Sequence, residues 1–317
     1  MRACVDIGGT KLAVSLAHPG TRELLHRRAE PTAKEGTPDV VVAQILRLLD
    51  AACAEAGVAM ADIDGVGVSS AGPFVMRDGC IEVSTPNICG GLTRADQGIP
   101  NDWTAFPLEA PLRAHFDNRV PVRVENDCVA ALEAERRWGA LQDVDDCAYV
   151  TWSTGIGMGL AVGGRVLRGK NGNAGHGGHT FASGPAEGPT CGCGNVGDLE
   201  SLVSGTAMAR RFRDQGFADA EALLEAAKTG DATASGIVDD LCRILGRGLF
   251  NVVALLDLQR ISLGGSVFWH HRDHLLPRLQ AELAAHLPAL TRGVELVPAG
   301  LQDRVGDYAA LALLQQD

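Results

Sequence analysis

Aromatic residues are scarce in this chain. Phe, Trp and Tyr together make up 4% of its 317 residues, and only two are tyrosine. So few rings leave no stacking platform for nucleic-acid bases. Positive charge is also in short supply: 28 Lys and Arg stand against 39 Asp and Glu, a formal net charge of −11. That balance argues against a nucleic-acid partner or an anionic membrane. It leaves room for an anionic small molecule, because a glycine-rich loop binds phosphate locally against the global field. No apolar run approaches the roughly 20 residues that span a bilayer. A secretory leader is not expected either, since the charged strand start at Arg2 leaves no space for an apolar stretch. Cysteine is plentiful at nine, but the number is odd and the spacing mostly irregular. A reduced, cytoplasmic setting follows, with most thiols acting as small buried hydrophobes.

A chain of 317 residues is too long for one typical core and comfortable for two lobes. Apolar patterning predicts strands at Ala3–Ile7, Leu12–Ala17, Gly65–Ser69, Val120–Val124, Cys147–Trp152, Leu160–Val162, Arg260–Leu263 and Val294–Val297. Helical spacing predicts helices at Pro38–Ala56, Pro107–His115, Asp127–Gly139, Asp239–Leu256, Leu275–His286 and Gly306–Leu314. Strands alternating with helices indicate an α/β fold. A strand, a Gly/Thr turn and a second strand occur twice, about 145 residues apart, a weak internal repeat that suggests two similar lobes. Ile88–Pro107, rich in Gly, Pro, Asn and Asp, is expected to be a mobile substrate loop.

Five motifs carry chemistry. Asp6-Ile7-Gly8-Gly9-Thr10-Lys11 joins a strand to a tight turn whose N–H groups suit phosphate oxygens. In it, Asp6 suits the water shell of Mg²⁺ and Lys11 offsets phosphate charge. Ser153-Thr154-Gly155-Ile156-Gly157 is a second glycine turn with hydroxyls, so two turns can grip a triphosphate. Gly264-Gly265-Ser266 offers bare backbone to an adenosine. Glu125-Asn126-Asp127 follows a strand and opens a helix, which places an acid where a cleft would use it. Each of these, taken alone, is equally a plain turn or a helix cap. Finally, His176 and His179 are followed by Cys191 and Cys193, with eleven residues between His179 and Cys191. His179, Cys191, Cys193 and Asp198 make a donor set for tetrahedral zinc, although cytosolic thiols also occur without metal.

Taken together and in order, DIGGTK, END, STGIG, GHGGH with CGCGNVGDLE, and SLGGS resemble the ROK family of sugar kinases over essentially the whole chain. The resemblance implies a two-lobed actin-like ATPase/hexokinase-type fold, with ribonuclease H-like lobes and the active site in the interlobe cleft. Residues 1–124 plus 300–317 would form one lobe and 125–299 the other, with the zinc loop. It implies ATP and Mg²⁺ as cosubstrate and cofactor, structural Zn²⁺, and a homodimer. Asp127 corresponds to the catalytic base. Asn87, Asn126, His176, His179 and Glu200 correspond to sugar-binding positions. Asp6, Gly8, Gly9, Thr10, Lys11, Ser153, Thr154, Gly155, Gly264 and Gly265 correspond to the ATP and phosphate site. Two positions depart from the family. His176 stands where a glutamate is usual, as in bacterial N-acetylmannosamine kinases, and Asp198 stands where the third zinc cysteine is usual. The expected activity is phosphorylation of the C6 hydroxyl of a hexose, an amino or N-acylamino sugar such as N-acetylmannosamine. Glucose, kanosamine and a cyclitol are the alternatives. The family also contains sugar-sensing repressors, but these carry a helix-turn-helix ahead of the first strand, for which the sequence leaves no space.

Overall fold

The computed structural model describes residues 1–92, 98–184 and 188–315. The first stretch of chain runs β1 (Arg2–Ile7), β2 (Lys11–Ala17), β3 (Leu24–Pro31), α1 (Val40–Ala56), β4 (Gly65–Ser70), β5 (Phe74–Arg77), β6 (Cys80–Val83), β7 (Phe106–Pro107), α2 (Glu109–His115), β8 (Val122–Asn126) and α3 (Asp127–Trp138). There follow β9 (Cys147–Trp152), β10 (Ile156–Val162), β11 (Arg165–Val166), α4 (Leu199–Val203), α5 (Gly205–Arg211), α6 (Ala220–Lys228) and α7 (Ala232–Leu256). The chain ends with β12 (Arg260–Gly264), α8 (Ser266–Ala284), α9 (Pro288–Thr291), β13 (Glu295–Pro298) and α10 (Val305–Ala312). The α/β class read from the sequence is what the structure has. No helix among the described residues is long and apolar enough to cross a membrane.

The chain divides into two compact units. Unit 1 comprises Met1–Ala134, Arg168–Ala174 and Arg304–Asp317; unit 2 comprises Glu135–Leu167 and Gly175–Asp303. These divisions fall at other residues than the 124/125 and 299/300 expected.

Unit 1 is built on a sheet of order β3-β2-β1-β4-β8. β1 to β3 are antiparallel neighbours, while β1, β4 and β8 run parallel. The central strands read as nearly continuous apolar runs because helices cover them. α1 packs on β2 and β3, and α10 on β1 and β4. Ile45 and Leu49 of α1 are fully buried, as are Val5, Leu12 and Val68 beneath the helices. A three-stranded antiparallel sheet, β5-β6-β7, is appended. A cavity of about 320 Å³ in this unit is lined by Arg113, Asn118, Val120, Pro121, Val122 and Arg123, and none of the sequence-predicted site residues borders it.

Unit 2 repeats the plan with order β11-β10-β9-β12-β13: β9 to β11 antiparallel, β9, β12 and β13 parallel. The strand–turn–strand repeat in the sequence is therefore the start of the same sheet made twice. Four helices of this unit begin on a side-chain cap. Asp198, Ser204, Asp219 and Asp231 accept the N–H of the third helical residue of α4, α5, α6 and α7.

Candidate active site

The acids of unit 1 gather at the carboxyl ends of β1 and β8, the two strands that flank β4. Asp6 of β1 is in register with Ser69 of β4, and Ser69 with Glu125 of β8. The strand continues through Asn126, two residues further than the sequence predicts, so Asp127 is the first residue of α3. This abrupt exchange of strand for helix turns the Asp127 side chain away from the sheet's alternation. The Cys128 N–H is shared by Asn126 Oδ1 at 3.0 Å and Asp127 Oδ1 at 2.8 Å. Solvent reaches Asp127, yet the protein crowded around it withholds hydration and raises its pKa, partly offset by hydrogen bonds from Cys128 and Asn126. The Asp6 carboxyl rises to about 7, first through burial and then through the charge of Asp127, against the lowering influence of Arg27. Two carboxylates whose charges oppose each other this way suit a cation beside them, and Asp6 is the residue that fits the water shell of magnesium.

The turn after β1 is closed by Gly8 N–H donating to Lys11 O at 2.9 Å, and Thr32 Oγ1 donates to Gly8 O at 2.7 Å. Thr10 and Lys11 are exposed on it. A Cβ at Gly9 would lie 2.6 Å from Cβ of Asn87, so only glycine lets the exposed Asn87 stand against this turn. Of the loop expected at Ile88–Pro107, residues 93–97 lie outside the described residues. The rest is anchored: Asn101 Nδ2 donates to Lys34 O and Ile88 O, and Trp103 Nε1 to Gly36 O. The sequence reading missed Arg168, which pairs with Glu125 and, at 3.2 Å, with Glu133. It lies just ahead of the His176 loop, and one arginine in a glycine-rich stretch gives no pattern to read.

In unit 2 the predicted turns converge. Ser153 Oγ and Ser266 Oγ are 2.9 Å apart, linking the turn after β9 to the Gly264-Gly265 turn after β12. Gly205 N–H donates to Ser153 O at 2.8 Å and Thr206 N–H to Thr154 O at 3.2 Å, which adds the start of α5. Ser266 was read only as part of the Gly264-Gly265-Ser266 turn and Thr206 not at all, since a hydroxyl at a helix start is ordinary. Gly155 has a steric reason to be glycine: a Cβ there would lie 2.6 Å from Glu200 Oε2. That oxygen accepts the Ile156 N–H at 3.0 Å, which holds Glu200 beside the turn.

His176 and His179 stack with centroids 6.0 Å apart. Burial, with the neighbouring His179 second, lowers the pKa of His176 and favours neutral imidazole. Its Nε2 is buried and has no hydrogen-bond partner among the described residues. His179 Nδ1 lies 3.3 Å from Asp198 Oδ2 and 3.8 Å from Cys191 Sγ, and Cys193 Sγ lies 3.4 Å from Asp198 Oδ2. Ligands of tetrahedral zinc are separated by about 3.3–3.8 Å, given bonds of about 2.0 Å to N or O and 2.3 Å to S. All four donor atoms lie within 4.8 Å of one another, so the set fits one zinc. Asp198 serves twice: Oδ1 caps α4 through Ser201 N–H at 2.8 Å, and Oδ2 faces the cluster. Burial alone would raise its pKa, but hydrogen bonds from His179 and Ser201 bring it down to about 2.

The ROK family profile matches residues 2–317. The chain belongs to the ROK family. It is 31% identical to a glucokinase of Aeropyrum pernix over 98% of this chain and 95% of that protein. It is 36% identical to an N-acetylmannosamine kinase of Salmonella paratyphi A over 83% of this chain and 82% of that one. Among solved structures, a ROK family glucokinase from Streptomyces griseus, in complex with glucose and AMPPNP, superposes with a TM-score of 0.75. It is 27% identical, over 99% of both chains. The two-lobed ROK sugar-kinase fold is thus the fold of this chain. Within it, unit 1 of this ROK protein holds Asp6 to Lys11, Asn87, Asn126 and Asp127, and unit 2 holds Ser153 to Gly155, His176, His179, Glu200, Gly264 and Gly265.

Proposed function

We propose that this chain is an ATP-dependent sugar kinase acting on the C6 hydroxyl of a hexose. The observation that carries the reading is Asp127. It is a solvent-reachable carboxylate of raised pKa, at the end of β8, beside Asp6 and in the same unit as the Gly8-Gly9 turn. A base must hold its proton affinity near working pH, and the crowding around Asp127 moves it in that direction. Asp127 takes the hydroxyl proton as the sugar oxygen attacks the γ-phosphorus, and ADP leaves with the electrons of the broken P–O bond. Asn87, Asn126, His179 and Glu200 orient the sugar. Lys11 and the backbone of Gly8 to Thr10 and Ser153 to Gly155 hold the phosphates, and Gly264-Gly265 the adenosine. Magnesium, bound with the nucleotide, would neutralise charge on the transferring group, which together with positioning is most of what phosphoryl transfer needs. Zinc held by His179, Cys191, Cys193 and Asp198 would fix the loop that presents His179 and Glu200.

His176 supports an amino or N-acylamino hexose such as N-acetylmannosamine. Its buried Nε2 lacks a partner, and a neutral imidazole offers one donor and one acceptor where glutamate would accept from two hydroxyls. The N-acetylmannosamine kinase relative agrees. Glucose is the second reading, favoured by a glucokinase relative that matches nearly the full chain. ADP release measured across glucose, mannose, glucosamine, N-acetylglucosamine, N-acetylmannosamine and kanosamine decides between them. The reading expects the largest kcat/KM for an amino or N-acylamino hexose. Sugar-independent ADP release would overturn the kinase assignment itself.

A further inference from the structure

A second constellation of metal-binding side chains lies in unit 2, outside everything the proposed reaction uses. Glu221 and Glu225 are one turn apart on α6 and so share a face, with side chains 66% and 50% exposed. Opposite them is His271 of α8, 2% exposed, the one residue in α8 with non-helical dihedrals (φ −121°, ψ 16°). Its Nε2 is 3.1 Å from Glu221 Oε2 and its Nδ1 is 3.4 Å from Glu225 Oε1. One donor atom from each of the three lies within 4.8 Å of the others.

A buried histidine between two acids has an ordinary explanation as a paired core imidazole, and the geometry departs from it at Nδ1. That atom is buried and has no hydrogen-bond partner among the described residues, although a carboxylate oxygen is near. Neutral imidazole carries one N–H, so with acids against both nitrogens one acid faces a lone pair. A hydrogen bond places the acceptor along the N–H axis at about 2.9 Å. Two ligands of one ion instead stand side by side, about 3.0–3.4 Å apart, each about 2.1 Å from the metal. The Nδ1–Glu225 separation has the second form.

We propose that His271, Glu225 and Glu221 form a divalent-metal site that ties α6 to α8. One imidazole nitrogen and two carboxylates, without thiolate, select a zinc- or cobalt-class ion and leave positions for water. Lys228 competes with that ion: its Nζ lies 2.7 Å from the same Glu225 Oε1 that faces His271. At the end of α6 it is free to swing into solvent when an ion arrives.

The test is equilibrium dialysis of the full chain against Co²⁺. Cobalt in the His179–Asp198 cluster shows near-ultraviolet absorption from its thiolates, whereas cobalt at His271 adds bound metal without it. The proposal expects a second Co²⁺ per chain that adds no thiolate absorption. Glu225→Gln and Glu221→Gln, both at exposed positions, should weaken that second ion by about tenfold or more. Lys228→Ala should tighten it several-fold, a gain that damage to the fold cannot produce. Metal uptake that ends with the thiolate signal, or a second ion indifferent to all three substitutions, overturns the proposal.

Discussion

Asp6 is where the chemistry of single residues is most exposed to measurement. Its carboxyl rises from 3.8 to about 7 through burial and the charge of Asp127. Between those values the folded protein keeps a proton that the unfolded chain has released. Stability is therefore full below about pH 4 and falls as pH rises through about 7, by at most about 4 kcal/mol. Asp6→Asn should remove that part of the slope, seen in urea melts without nucleotide or magnesium; an unchanged slope would show that Asp6 titrates normally. The other residue-scale expectation concerns His176. His176→Glu should raise kcat/KM for glucose relative to an N-acylamino hexose, because it replaces one donor and one acceptor with two acceptors. A ratio that stays put, or a wild type already selective for glucose, removes His176 as the selector.

At the level of elements, α4 and the proposed zinc cluster meet in Asp198, and their contributions separate by substitution. Asn caps helices about as well as Asp, whereas Ala costs about 1 kcal/mol. Asp198→Asn should lower zinc content by elemental analysis while leaving Tm in chelator unchanged, and Asp198→Ala should lower both. Equal Tm losses in chelator for the two variants would deny the cap. The capping role was not legible in the sequence, where Asp198 reads as a replaced cysteine. Other elements explain their own visibility. β1, β2, β4, β9 and β12 are central, apolar on both faces and plain in the sequence. β3 was missed because it is an edge strand carrying His26, Arg27, Arg28 and Glu30, and charge on an edge hides the apolar period. α6 was missed because it is only nine residues long and its buried face is just Leu223, Leu224 and Ala227, and the first turns of α7 were missed because the cap Asp231 precedes a run of small residues, Ala232 to Gly236. α8 was placed nine residues late, since His270 to His274 and the break at His271 conceal its first turns.

On the scale of the whole chain, the sheet made twice was legible from the repeated strand–turn–strand pattern, and the family from the order of its motifs. The full course of the chain between units was not: the return of the C-terminal segment was expected from the family resemblance, whereas segment 168–174 joins unit 1 without any local signal. Glu135, the first residue of unit 2, shows what such a passage requires. It is fully buried and accepts Ala140 N–H and Gly300 N–H at 2.9 Å, Leu301 N–H at 2.8 Å and the Ser262 hydroxyl at 2.9 Å. Glu135→Ala strands those donors and should cost about 3 kcal/mol or more in chemical denaturation; a loss under about 1 kcal/mol would mean that water replaces the carboxylate. The proposed phosphoryl transfer rests above all on one base serving the sugar hydroxyl. Its most direct test is kcat of Asp127→Asn with the best sugar of the panel, circular dichroism confirming the fold. The expected fall is roughly 10²–10⁴, and turnover near that of the wild type would contradict Asp127 as the base.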